Sequence, residues 1–170
     1  MRKEKMNNKG FSLVELIIVI AIMAILIVVL APQYLKYVER SRNSTDLQNA
    51  TEIVTALQVY AADPEATVKL PATGTITIEV TNNADAAITD VGGFAAAALV
   101  DSGMMQTGGT LGTRCQSTQA WSNYTITGTI SNGAITFSYE PTTSSATGML
   151  SFADRMAGKS GTTSGGTTNP

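Results

Sequence analysis

The sequence contains no histidine, which removes the commonest general base and the commonest protein metal ligand together. Its one cysteine, Cys115, can form no intramolecular disulfide, so packing and hydrogen bonds must hold the fold, with Cys115 read as a buried free thiol. As a nucleophile that thiol would also lack its usual histidine partner. Charge is scarce: Asp, Glu, Lys and Arg make up 14% of the 170 residues, against about a quarter in an average soluble domain. No stripe of Lys and Arg follows the first forty-two residues, which argues against a phosphate-binding face and against nucleic acid as a partner. The acids Asp85, Asp90, Asp101 and Glu140 form no recognised catalytic spacing and read as solvated charges. Neither catalytic residues nor a cofactor or metal site are expected. Ser, Thr, Gly and Asn fill the space that charge leaves, a composition suited to an extracellular or surface protein.

What charge there is lies unevenly. Arg2, Lys3, Lys5 and Lys9 against Glu4 give the first ten residues +3 and leave −5 on the remainder. From Phe11 to Ala31 only Ser12 and Glu15 are polar, and this apolar stretch is about as long as a helix needs to cross the hydrocarbon of a bilayer. A basic cluster before such a helix stays cytoplasmic, which puts the C-terminal bulk outside. Pro32 removes one helix hydrogen bond, so a kink or loosening is expected there without the helix ending. Leu47, Ala50, Val54, Leu57 and Ala61 recur at spacings of three and four, with Asp46, Gln48, Asn49 and Glu52 assigned mostly to other faces. Asn43-Ser44-Thr45 could break this helix or restart it, and Asp63-Pro64 closes it near Ala62.

Beyond Pro64 the period changes. Thr75 to Val80 alternates with Ile76, Ile78 and Val80 on one face, the pattern of a half-buried strand. Two alternating runs between Tyr124 and Tyr139 flank Asn132-Gly133, the preferred pair for a type I′ hairpin turn. That turn sets Ile130 opposite Ile135, Gly128 opposite Phe137 and Ile126 opposite Tyr139, so the apolar side chains share a face and Phe137 covers the glycine. The alanine-rich run from Gly93 to Val100 predicts a short helix ended by Asp101-Ser102-Gly103. No clear period marks residues 104–122, and Trp121 within them reads as an aromatic covering the sheet. Three Asn-x-Ser/Thr tripeptides, at Asn43, Asn49 and Asn123, arise readily in Thr-rich sequence and carry no assignment.

The residues Lys9-Gly10-Phe11-Ser12-Leu13-Val14-Glu15-Leu16 join a basic leader ending in glycine to a carboxylate inside an apolar helix. A carboxylate near mid-membrane costs about 2.5–3.5 kcal/mol on insertion scales, so Glu15 needs a partner. Cleavage after Gly10 would create one, the α-amino group of Phe11. At these residues the sequence resembles the type IV prepilins, whose leader ends in Gly before Phe-Ser/Thr-Leu-Val/Ile-Glu-Leu and a long apolar stretch. The resemblance is strong from Lys9 to about Pro32 and covers the continuation to Ala62 only in style. It implies cleavage between Gly10 and Phe11 by a prepilin peptidase, N-methylation of Phe11, and assembly with copies of the same chain through apolar helices at a filament centre. It further implies an inner pilus assembly platform as a partner and a role for Glu15 in guiding incoming subunits. Many Gram-negative members staple a C-terminal loop with two cysteines; that feature cannot be carried over to a chain with Cys115 alone.

The expected architecture is α+β, a long N-terminal helix packed on a small, mostly antiparallel sheet. Its parts are a leader (1–10), an apolar transmembrane and filament-core helix (11–32), an amphipathic continuation (33–62), a β-rich head (63–152) and a flexible Gly/Ser/Thr tail (153–170). The expected function is a non-enzymatic pilin, in membrane lipid as a single-pass precursor and then in an extracellular pilus for adhesion, surface motility or biofilm formation. A pseudopilin of a type II secretion or DNA-uptake system shares the same N-terminus and remains the alternative, with a membrane-anchored surface enzyme as the reading from another class. A secretory signal peptide would need small residues after the apolar core, which Val29-Leu30-Ala31-Pro32 supplies badly. A simple membrane anchor would leave Gly10 and Glu15 without a purpose.

Overall fold

An unbroken run of apolar residues followed by three-four spacing gives one long helix, α1, over Leu13–Ala62. The computed structural model describes residues 12–145 and 149–159, which divide into two compact units between Val38 and Glu39. In the first unit α1 is long and apolar enough to cross a membrane, and its apolar side chains from Leu13 to Leu30 are exposed. Pro32 lies inside α1, and the helix continues through it and through Asn43-Ser44-Thr45. It stops where expected: Asp63 turns its carboxylate to accept the N–H of Glu65 at 2.8 Å, and Pro64 follows.

The second unit is an α+β layout in which the C-terminal part of α1 packs on an antiparallel four-stranded sheet. Strands β1 (Thr73–Thr81), β2 (Ala87–Thr89), β3 (Asn123–Ser131) and β4 (Ala134–Glu140) lie in the order β2-β1-β3-β4. Alternation puts Ile76, Ile78 and Val80 of β1 and Tyr124, Ile126 and Ile130 of β3 on the buried face. Against them α1 lays Ala50, Ile53, Val54, Leu57 and Tyr60. Each fully buried Ile or Leu of that seam contributes about 1.5–3 kcal/mol over leaving it in water.

The hairpin has the expected register, with Ile130 opposite Ile135, Gly128 opposite Phe137 and Ile126 opposite Tyr139. Asn132 and Gly133 both adopt left-handed angles, φ 52° and 74°, as a type I′ turn requires. A side chain at Gly128 would meet Ile135 and Phe137 at 3.0 and 3.3 Å, so both cover the glycine.

Helix α2 covers Phe94–Asp101 and ends at Gly103, φ 76°, as the sequence suggests. Its start is fixed by Asp90, whose carboxylate accepts the N–H groups of Ala95 and Ala96 at 2.5 and 3.4 Å. Two features lie outside the sequence expectations. Strand β2 pairs with β1 over only three residues, too few to display a period. A short helix, α3 (Phe152–Met156), occupies the start of the expected tail, because Phe152 is wholly buried against the rings of Tyr124 and Trp121. The rest of the expected tail, residues 160–170, lies outside the described residues.

Candidate functional site

Two features of α1 bear on function, one in each unit. Glu15 stands exposed in the first turn, where its Oε2 accepts the N–H of Ser12 at 2.9 Å while the Ser12 carbonyl accepts from Leu16. This is the return half of a capping box, which the Ser-x-x-Glu spacing of residues 12–15 spells out and the sequence reading passed over. Pro32 lies inside the exposed part of α1. Gly10 and Phe11 lie outside the described residues.

In the second unit α1 buries two carboxylates, Glu39 and Asp46, seven residues and two turns apart on one face. Asp46 accepts the N–H of Gln116 at 2.7 Å, that of Ser117 at 2.9 Å and the indole N–H of Trp121 at 2.9 Å, with the Cys115 thiol at 3.3 Å. Glu39 accepts the Ser117 hydroxyl at 2.6 Å and the N–H groups of Gln119, Thr118 and Ala120 at 2.8, 3.0 and 3.3 Å. The Thr118 hydroxyl donates to Glu39 and accepts from Arg42, whose guanidinium lies 3.8 Å from the same carboxylate. Residues 116–120, an irregular segment whose N–H groups no strand partner claims, are thereby fastened to α1 by side chains.

This clamp corrects the assignment of Asp46 to an outer face. Glu39, Asn43, Asp46, Ala50, Ile53, Leu57 and Tyr60 all fall on the buried face. Their three-four spacing was in the sequence; the polarity of the first three hid it. Asn43, between the two acids, is 1% exposed, and its amide atoms have no hydrogen-bond partner among the described residues. Its burial also closes that Asn-x-Thr tripeptide to modification.

Burial works against ionisation of Glu39, but the hydrogen bonds from Ser117, Gln119, Thr118 and Ala120 outweigh it and hold the carboxyl below its ordinary value. The Cys115 thiol goes the other way. Burial first, then the negative charge and hydrogen bond of Asp46, push it up to about 12, so it stays protonated and unreactive. Trp121 is a core residue as expected, and its indole N–H anchors the clamp as well.

The remaining acids stand apart from one another in their contacts. Asp85 pairs with Arg114 at 3.0 Å and accepts from Thr110, Asp90 caps α2, Glu140 accepts the N–H of Thr142, and Asp101 is exposed. Among the described residues no group of three or more acidic or thiol side chains could hold a metal ion. With four or more protein donors on each, Glu39 and Asp46 are built to fix a chain segment.

A long apolar N-terminal helix on a small antiparallel sheet thus defines the class. Residues 5–31 match the family described as the prokaryotic N-terminal methylation motif. The type IV major fimbrial protein FimA of Dichelobacter nodosus is 39% identical over 59 residues, 35% of this chain and 38% of that protein. The type IV major pilin protein PilA of Myxococcus xanthus is 34% identical over 67 residues, 38% of this chain and 30% of that protein. The matches therefore span well under half the length of these relatives. No solved structure is significantly similar to the chain. Motif and relatives together support the type IV pilin family for this chain.

Proposed function

We propose that the chain is the precursor of a structural pilin that is cleaved between Gly10 and Phe11, methylated at the Phe11 amine and built into a type IV pilus through α1. The observation that carries this reading is the coincidence of the methylation motif at residues 5–31 with a helix whose apolar side chains from Leu13 to Leu30 are exposed. Before assembly, membrane lipid covers that surface, with the basic residues 2–9 on the cytoplasmic side and the head outside. In the filament, copies of the same helix replace lipid and add packing contacts. The partners are then a prepilin peptidase and N-methyltransferase, an inner pilus assembly platform, and further copies of the chain.

Glu15 has a further role in this account. Its carboxylate, which bonds Ser12 within one chain, meets the new positive charge on Phe11 of a neighbouring subunit and guides its entry. Pro32, which leaves one helix hydrogen bond unmade, is the place where α1 loosens. Use of the pilus for adhesion comes first in our reading, then surface motility and biofilm formation. Electron microscopy of the material sheared from cells tests the filament itself. Surface filaments containing this chain are expected; processed protein in the membrane with no surface filaments would favour the pseudopilin alternative.

A further inference from the structure

Asn132 is the only asparagine of the chain that a glycine follows. Asn43, Asn49, Asn82, Asn83 and Asn123 precede Ser, Ala, Asn, Ala and Tyr, and Asn43 is buried besides. Glycine has no Cβ, so the main-chain nitrogen of Gly133 can approach the Asn132 side chain without a clash. The pair forms the tip of the β3–β4 hairpin, where Ser131, Asn132, Gly133 and Ala134 are all exposed.

In the folded turn Asn132 and Gly133 are held at φ 52° and 74° and closed by the pairing of Ser131 with Ala134. Joining the Gly133 nitrogen to the Asn132 side chain closes a five-membered ring, which changes the main-chain angles between the two residues, so the turn must open first. That opening is easy here. The first side chains of the hairpin that reach the core are Ile130, 2% exposed, and its partner Ile135, one pair further in. Releasing the tip therefore breaks one exposed main-chain pair and pulls no apolar side chain out of the core, and β4, as the last strand of the sheet, has only β3 beside it in the sheet.

We propose that Asn132-Gly133 is a site of spontaneous modification through a succinimide, and that its isoaspartate product breaks the turn that sets the hairpin register. The Gly133 nitrogen attacks the side-chain carbonyl carbon of Asn132; a C–N bond forms, and ammonia leaves with the amide proton. Water then opens the ring at either carbonyl, with no change of oxidation state. Opening at the side-chain carbonyl gives aspartate, which keeps the backbone and suits a type I′ turn as well as asparagine does. Opening at the main-chain carbonyl gives isoaspartate, whose backbone runs through the side chain and is one methylene longer. A two-residue loop has no slack for it, and loop length is what fixes the register that lays Ile135 and Phe137 over Gly128. The chemistry belongs to the chain itself and stands apart from the filament reading.

The test is ageing of the detergent-solubilised full-length chain at mildly alkaline pH, followed by peptide mass spectrometry and thermal melting. Residue 132 is expected to gain the mass of an amide-to-acid exchange before Asn43, Asn49, Asn82, Asn83 or Asn123 does. It should appear as two separable peptides, aspartate and isoaspartate, with the thermal midpoint falling as isoaspartate accumulates. Asn132→Gly keeps a pair favoured in type I′ turns and cannot form the ring, so its midpoint should hold through the same treatment. An intact Asn132, or aspartate without isoaspartate, would overturn the proposal, as would an equal fall in midpoint for Asn132→Gly. Should that variant not fold, Asn132→Asp, freshly made, serves as the reference: aged wild type rich in isoaspartate must melt below it, and equal midpoints would overturn the proposal.

Discussion

Asp46 shows how one side chain can organise a region that has no regular structure. Truncation by Asp46→Ala strands the Trp121 indole and the Ser117 N–H in a buried place, at about 1–3 kcal/mol for each donor left unmet. Urea unfolding of the detergent-solubilised chain should show a clearly lowered midpoint, and an unchanged midpoint would mean that the clamp does not hold residues 115–121. Cys115 offers a non-perturbing probe of the same place, since Asp46 and burial keep its thiol protonated. Maleimide should label it only in denaturant, and rapid labelling of the native chain would contradict the clamp. At the other end of α1, Glu15→Ala should leave processing intact and sharply reduce incorporation into filaments, while Gly10→Ile should leave the unprocessed chain in the membrane. Immunoblots of membrane and sheared fractions read both, and a normal filament yield from Glu15→Ala would remove the assembly role from that residue.

Among the elements, those with a strong local period were legible in the sequence. The end of α1, the face of β1 and the register of the β3–β4 hairpin follow from three-four spacing, alternation and the Asn132-Gly133 pair. A β-branched side chain at Gly133 must be forced to φ 74°, so Gly133→Val is expected to cost about 1–2 kcal/mol, read as a lower thermal midpoint. Strand β2 was not legible because three residues carry no pattern. The same holds for residues 115–121, whose order comes from donors to Glu39 and Asp46 about 70 to 80 residues away in sequence. A binary apolar-polar reading places such acids on the outside, because nothing nearby in the chain announces their partners. Pattern reading therefore located the N-terminal methylation motif at once and missed the clamp entirely.

At the scale of the whole molecule, the clamp makes head stability depend on pH. In the folded chain Glu39 binds its proton less tightly than in the unfolded chain, where its value lies near 4.5. Its stabilising contribution is therefore fully present above that value and is lost as pH falls through the lower folded one. Asp85, through hydrogen bonds from Arg114 and Thr110, and Asp154, through Lys159 and Ser151, shift in the same direction. The share of Glu39 is read as a difference: thermal midpoints of wild type should fall on acidification more steeply than those of Glu39→Gln. Equal slopes would mean that Glu39 contributes no such pH dependence.

The proposed passage of the chain from lipid into a filament begins at its N-terminus. The most direct test is mass spectrometry of the mature N-terminus in a membrane or sheared-surface fraction. A chain beginning at a methylated Phe11 is the predicted result; an intact leader, or a cut after Ala31, would contradict the account.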